Sequence, residues 1–146
     1  MLVKDILQSK PKTIFTAEPS TPIQQAMELL VHNRISCLPI LNAKKELVGI
    51  VSDKDIFKLL YESPQTAATS TVSAVMSKDV LVGLPTDDIG YIAAIMTNNR
   101  IRHVPIMEGK QLIGLLSVGD IVKTQMAHIE TENRYLRQYI DGTYPA

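Results

Sequence analysis

Apolar residues recur along this chain in two matched cycles. In the first, Ile23, Ala26, Met27, Leu30 and Val31 fall at helical spacing, and two short apolar runs follow, Leu38 to Leu41 and Leu47 to Val51, separated by the polar NAKKE. In the second, Ile89, Ile92, Ala93 and Met96 take the helical positions, and the runs Val104 to Met107 and Leu112 to Leu116 are joined through EGKQ. Steps of three and four place side chains on one helix face, whereas two apolar runs around a short polar turn predict a hairpin. A short lead helix and a strand precede each helical stretch, and a further helix follows each hairpin. Each half of the chain therefore predicts a β-α-β-β-α unit behind a leading helix.

The likeness between the halves extends to the letters. VKDIL is echoed by VSAVM, TIFTAEPSTPI by VLVGLPTDDI, NRISCLPIL by NRIRHVPIM, and ELVGIVSDKDI by QLIGLLSVGDI. Self-similarity at a fixed period dictates architecture, so the expected fold is α/β, two such repeats related by a pseudo-two-fold axis. Residues 1–66 form the first repeat, 67–128 the second and 129–146 a helical tail. YESPQTAATST, rich in Ser, Thr, Ala and Pro, reads as the linker between them. Thr21-Pro22 with Gln24 predicts an N-cap, a proline in the first helical position and a capping box. In the tail, Val122, Met126, Ile129, Leu136 and Ile140 form a seam, with Asn133 in its gap, that fits packing on its own domain or, preferably, contact with a second subunit. Gly142 and Pro145 are expected to stop that helix.

The matched motifs GIVSDKDI and GLLSVGDI carry the candidate chemistry. Ser52 and Ser117 stand where they can cap the following helix. Asp55 and Asp120 have two readings: a charge that favours a helix N-terminus, or a carboxylate that accepts hydrogen bonds from ribose hydroxyls beside a phosphate-binding helix end. Gly49 and Gly114 fit either close approach of a ligand or a kink in the strand. Arg102 and His103 alternate across a strand start and point to opposite faces, so one of them is expected to meet phosphate. Arg34 and Arg100 read as solvated helix ends.

Composition narrows the alternatives. Of 146 residues, 15 are Lys or Arg and 15 are Asp or Glu, so no overall field draws the chain to nucleic acid or an anionic membrane. The absence of Trp and the presence of only two Phe argue against a stacking platform for single strands. The single cysteine, Cys37, lies in the apolar run ISCLPIL and reads as a core residue. His32, His103 and His128 lack metal-ligand spacing, and no nucleophile or phosphate-loop motif is present, so neither an enzyme nor a metal site is expected. MLVKDILQSK has no basic leader with a long apolar centre, and no run approaches the ~18 residues of a membrane span. A cytoplasmic location is expected.

NRIRHVPI followed by LIGLLSVGDIVK resembles the CBS domain, named after cystathionine β-synthase, and the two-fold arrangement is similar to the usual tandem pair. The tail ENRYLRQYIDGTYP also resembles that of small stand-alone CBS proteins. The resemblance implies clefts between the repeats that bind an adenine nucleotide, AMP, ADP or ATP, with S-adenosylmethionine or NADH as other adenosine ligands, and no separate cofactor. It implies ribose contacts from Asp55 and Asp120 with Ser52 and Ser117 beside them. It further implies adenine contacts from Ile14, Phe15, Ile35 and Ser36 in the Asp120 cleft, and from Val80, Leu81, Ile101 and Arg102 in the Asp55 cleft. Ser36 and Cys37 stand where the second repeat has Arg102 and His103, so the clefts are expected to differ. The expected role is regulatory, as a homodimer that signals occupancy to an unnamed partner, with a scaffold or dimerisation module bearing vestigial clefts as the alternative.

Overall fold

The computed structural model describes residues 1–142; Pro145, expected to help end the last helix, lies outside the described residues. The first repeat contains α1 (Val3–Gln8), α2 (Ile23–His32), β1 (Cys37–Leu41), β2 (Leu47–Ser52) and α3 (Asp53–Glu62). A short α4 (Pro64–Ala67) and a 3-10 turn at Val72–Ala74 lead into α5 (Ile89–Asn99), β3 (His103–Glu108), β4 (Gln111–Ser117) and the long α6 (Val118–Ile140). The linker is thus partly helical, and Ala67 within it is buried.

The two hairpins have the same antiparallel register, including an irregularity at the same place, Ile40/Leu41 in one and Ile106/Met107 in the other. The strand expected at the start of each repeat contracts to one parallel bridge, Ala17 to Ile40 and Gly83 to Ile106. Ala17 uses both backbone groups there, donating to the Pro39 carbonyl and accepting from the Leu41 amide, and Gly83 does the same with Pro105 and Met107. The chain then turns at once: Thr21 N–H bonds the Glu18 carbonyl and Asp87 N–H the Leu84 carbonyl, which ends the pairing.

Two helix expectations are corrected. Thr21 does not cap α2; its Oγ1 accepts from the Glu18 amide, and Pro22 is the residue before the first helical one, so no capping box forms. Val31 was placed on the core face but is 72% exposed, because the apolar stripe of α2 is narrower and is closed by Ile23, Ala26 and Leu30.

The molecule has two apolar cores, and each borrows its lead segment from the other repeat. Val3 and Ile6 of α1 pack with Ile92, Val104, Ile106 and Leu116, whereas Val72 packs with Ala26, Leu38, Ile40 and Val51. Backbone bonds fix the exchange: Val3 and Lys4 donate to the carbonyls of Asp87 and Pro85, and Val72 and Ser73 donate to those of Thr21 and Pro19. The exchange also explains the two strand glycines. A Cβ on Gly114 would lie 2.7 Å from Leu7 Cδ2, and one on Gly49 would lie 2.7 Å from Met76 Sδ, so each glycine admits the incoming lead segment.

Candidate functional site

The two Ser-x-x-Asp motifs form reciprocal capping boxes at the starts of α3 and α6. Ser117 Oγ accepts from the Asp120 amide at 3.1 Å, and Asp120 Oδ2 accepts from the Ser117 amide at 2.8 Å. Ser52 and Asp55 make the same pair at 3.2 and 2.8 Å. Each box satisfies two backbone donors at a helix start, so a structural role for the motif is present in both repeats.

Asp120 does more than cap. Lys10 Nζ lies 2.6 Å from its Oδ2 and 2.7 Å from the Leu115 carbonyl oxygen, and both side chains are less than a third exposed. Burial alone would raise the Asp120 pKa, but donation from Lys10 and from Ser117 outweighs it and holds the carboxyl below its ordinary value.

Beside this pair opens a cleft of about 700 Å³. Its walls come from both repeats: Ile14, Phe15, Ile35 and Ser36 on one side, His103, Ile113, Leu115 and Ser117 on the other, with Lys10, Pro11, Lys12 and Thr13 along the lead segment. The size is within the ~300–1,000 Å³ typical of small-molecule sites. Ser36 Oγ and His103 Nε2 face each other across it at 3.4 Å. Burial, followed by the charges of Arg102 and Lys10, lowers the pKa of His103, which favours the neutral ring. Arg34 also lines the cleft, at a left-handed backbone position (φ 53°) that ends α2, and Arg100 ends α5 in the same way (φ 54°). Cys37 sits in the wall but is 3% exposed; burial first, then Asp55 and Asp53, push its thiol up to about 12, so it stays protonated.

The six residues Ile14, Phe15, Ile35, Ser36, His103 and Ser117 are brought together around this cleft, with Asp120 behind Lys10 at its edge. Ser52, Asp55, Val80, Leu81, Ile101 and Arg102 do not line it. Arg102 points the other way and pairs with Asp53 at 3.2 Å, beside the start of α3, so the expected opposite orientations of Arg102 and His103 hold. The two sides differ for a backbone reason. Six residues, Gln8 to Thr13, separate Leu7 from Ile14, but only Ser77 to Asp79 separate Met76 from Val80. The shorter segment lies directly on β2 through two bonds between Ser77 and Ile50, whereas the matching carbonyl of Leu115 takes the Lys10 side chain. Lys10, Lys12 and Arg34 were missed as site residues. The three extra residues in QSKPKTIF, against SKDVL in the second repeat, were the available signal for the two lysines.

Two matched α/β repeats that exchange lead segments and meet around a cation-lined cleft define a paired-repeat module. The chain belongs to the CBS domain family: the family profile matches residues 3–62 and again 72–127. The CBS-domain protein ATU1752 from Agrobacterium tumefaciens is similar in structure, with a TM-score of 0.81 and 30% identity over 85% of this chain and 92% of that one. The CBS domain pair of protein MJ0100, solved with 5'-methylthioadenosine and S-adenosyl-L-methionine, superposes with a TM-score of 0.78 and 29% identity over 88% of this chain and 98% of that one. CBSX2, solved in complex with AMP, superposes with a TM-score of 0.75 and 27% identity over 86% and 96% of the two chains.

Proposed function

We propose that this protein is a regulatory module that binds an adenosine ligand, AMP, ADP or ATP, in the cleft beside Ser117 and Asp120. The observation that carries this reading is the cleft itself, where apolar walls from one repeat face Ser117 and His103 of the other, with the Asp120 carboxylate behind Lys10 at its edge. Ile14, Phe15, Ile35 and Ser36 offer an apolar seat and a hydroxyl for adenine. Asp120 offers acceptors for ribose hydroxyls, and the start of α6 with Lys10, Lys12 and Arg34 offers a cationic field for phosphate. AMP in CBSX2 and the adenosine ligands in the MJ0100 pair support the ligand class. Asp55, Ser52, Val80, Leu81, Ile101 and Arg102 form the second, weaker site in this reading, in which Arg102 is already paired with Asp53.

The role is binding rather than catalysis: the wall thiol is held protonated, and His103, 3.4 Å from Ser36, has no strong base–nucleophile bond. We place the protein in the cytoplasm, where a lone buried thiol is compatible with reducing conditions. Among the described residues no helix is long and apolar enough to cross a membrane.

Binding would be felt as stability. At about 100 times the dissociation constant, AMP should stabilise the fold by roughly 2.7 kcal/mol per site, read as a raised thermal midpoint alongside equilibrium dialysis. A midpoint unchanged at millimolar AMP, ADP and ATP would defeat the sensing role and leave the scaffold reading.

The signal needs somewhere to go. α6 runs well beyond the second repeat, and only Ile121 of it is buried, while Met126, Ile129, Leu136 and Ile140 are each more than half exposed along one stripe. We assign this stripe to a homodimer contact through which occupancy reaches a regulated partner. Truncation after His128 should therefore shift the sedimentation mass towards monomer. A truncated protein with the mass and stability of the full chain would remove the dimer assignment without touching the ligand site.

A further inference from the structure

We propose that Lys10 selects ligands by charge: its ammonium guards the Asp120 carboxylate and yields it only to a nucleoside that carries an anionic group. The inference rests on the adenosine-binding reading and names the class of ligand within it. Lys10 competes with a ribose for the Asp120 acceptor, because the ammonium already holds Oδ2 at 2.6 Å. A neutral nucleoside whose two ribose hydroxyls take both oxygens of Asp120 must displace the ammonium from Oδ2 and leave it partly buried without a counter-ion, which opposes binding. A cationic ligand faces the same loss and is repelled in addition by Lys12 and Arg34 on the cleft wall. A phosphate resolves the conflict, since Lys10 can exchange one oxyanion for another while the ribose hydroxyls donate to Asp120.

The surroundings make the exchange feasible. Lys10 sits in the irregular stretch after α1, so its release breaks no helix or strand. Its second contact, at 2.7 Å, is to a neutral carbonyl, that of Leu115, and none of the residues lining the cleft is a carboxylate that could hold the displaced ammonium. Among the residues lining the cleft none supplies a new counter-ion, whereas an anionic ligand does.

Calorimetric titration of the full chain with AMP and with adenosine tests this, using the wild type, Lys10→Met, Lys10→Arg and Lys12→Met. The wild type should favour AMP over adenosine by at least about tenfold. In Lys10→Met the carboxylate is unguarded, so adenosine should bind several-fold more tightly and AMP more weakly, and the ratio should fall by roughly tenfold or more. Lys12→Met should weaken AMP alone, without a gain for adenosine. Lys10→Arg keeps a charge at the position and should retain the preference for AMP, a result that stands if the methionine variant does not fold. An AMP-to-adenosine ratio unchanged in Lys10→Met, or lost in Lys10→Arg, overturns the role of Lys10 while leaving the ligand site intact. Failure of the wild type to bind any of AMP, adenosine, ADP and ATP overturns the adenosine reading itself, and the selector with it.

Discussion

Asp120→Ala is expected to weaken AMP binding by roughly ten- to a hundredfold, the equivalent of losing charge-assisted hydrogen bonds to ribose worth about 1.5–3 kcal/mol. The capping box adds a second effect that a pure ligand contact would not have. Loss of the bond from the Ser117 amide leaves a helix start less well satisfied, so the unliganded fold should also lose about 0.5–2 kcal/mol. Asp120→Asn separates the two. The amide keeps an oxygen for the Ser117 N–H but has no charge, so it should retain most of the stability and lose most of the affinity. The depressed pKa gives a third readout. A carboxylate whose folded pKa lies below its unfolded value of about 3.9 contributes stability that is present above that value and is lost as pH falls through the folded one. Both variants should lack this part of the acid limb in denaturant melts. Wild-type affinity for AMP in both variants, measured on the folded fraction, would leave Asp120 as a helix cap and no more.

The hairpins and the Ser-x-x-Asp starts of α3 and α6 were readable because their determinants are local. Paired apolar runs around NAKKE and around EGKQ mark each hairpin, and a serine three residues before an aspartate sets each box. The asymmetry of the clefts was readable too, from Ser36 and Cys37 standing where Arg102 and His103 stand. Its larger cause was not identified. Three extra residues after Leu7 hold the lead segment off the sheet and bring a lysine 110 positions along the chain to Asp120, a contact that no local pattern encodes. The close contacts of Gly49 and Gly114 were not legible for the same reason: Met76 and Leu7, which crowd them, come from the other repeat's lead segment, while Gly114 also lines the cleft. The leading strands were overextended because TIFTA and VLVG have the composition of strands, but a turn immediately beyond Ala17 and another beyond Gly83 leave room for one bridge each.

The exchange of lead segments also sets where damage to the first residues should be felt. Ile6→Ala removes three carbons from a side chain 4% exposed, and a substitution of this kind costs about 2–5 kcal/mol according to how far the cavity collapses. By position Ile6 belongs to the first repeat, yet it packs with Ile92, Val104, Ile106 and Leu116 of the second. Hydrogen exchange should therefore show earlier loss of protection in β3 and β4 than in β1 and β2. Val72→Ala is the mirror experiment: Val72 lies at the entry to the second repeat but packs with Leu38, Ile40 and Val51, so β1 and β2 should open first. Ile6→Ala should reach the cleft as well. α1 is held on the second repeat by its own apolar face and by the bonds of Val3 and Lys4, and the chain leaving it carries Lys10 to Asp120. Fraying of α1 would loosen the Lys10–Asp120 pair, and AMP affinity should fall with stability in Ile6→Ala more than in Val72→Ala. Protection lost first from β1 and β2 in Ile6→Ala would show that each lead segment serves its own repeat in solution.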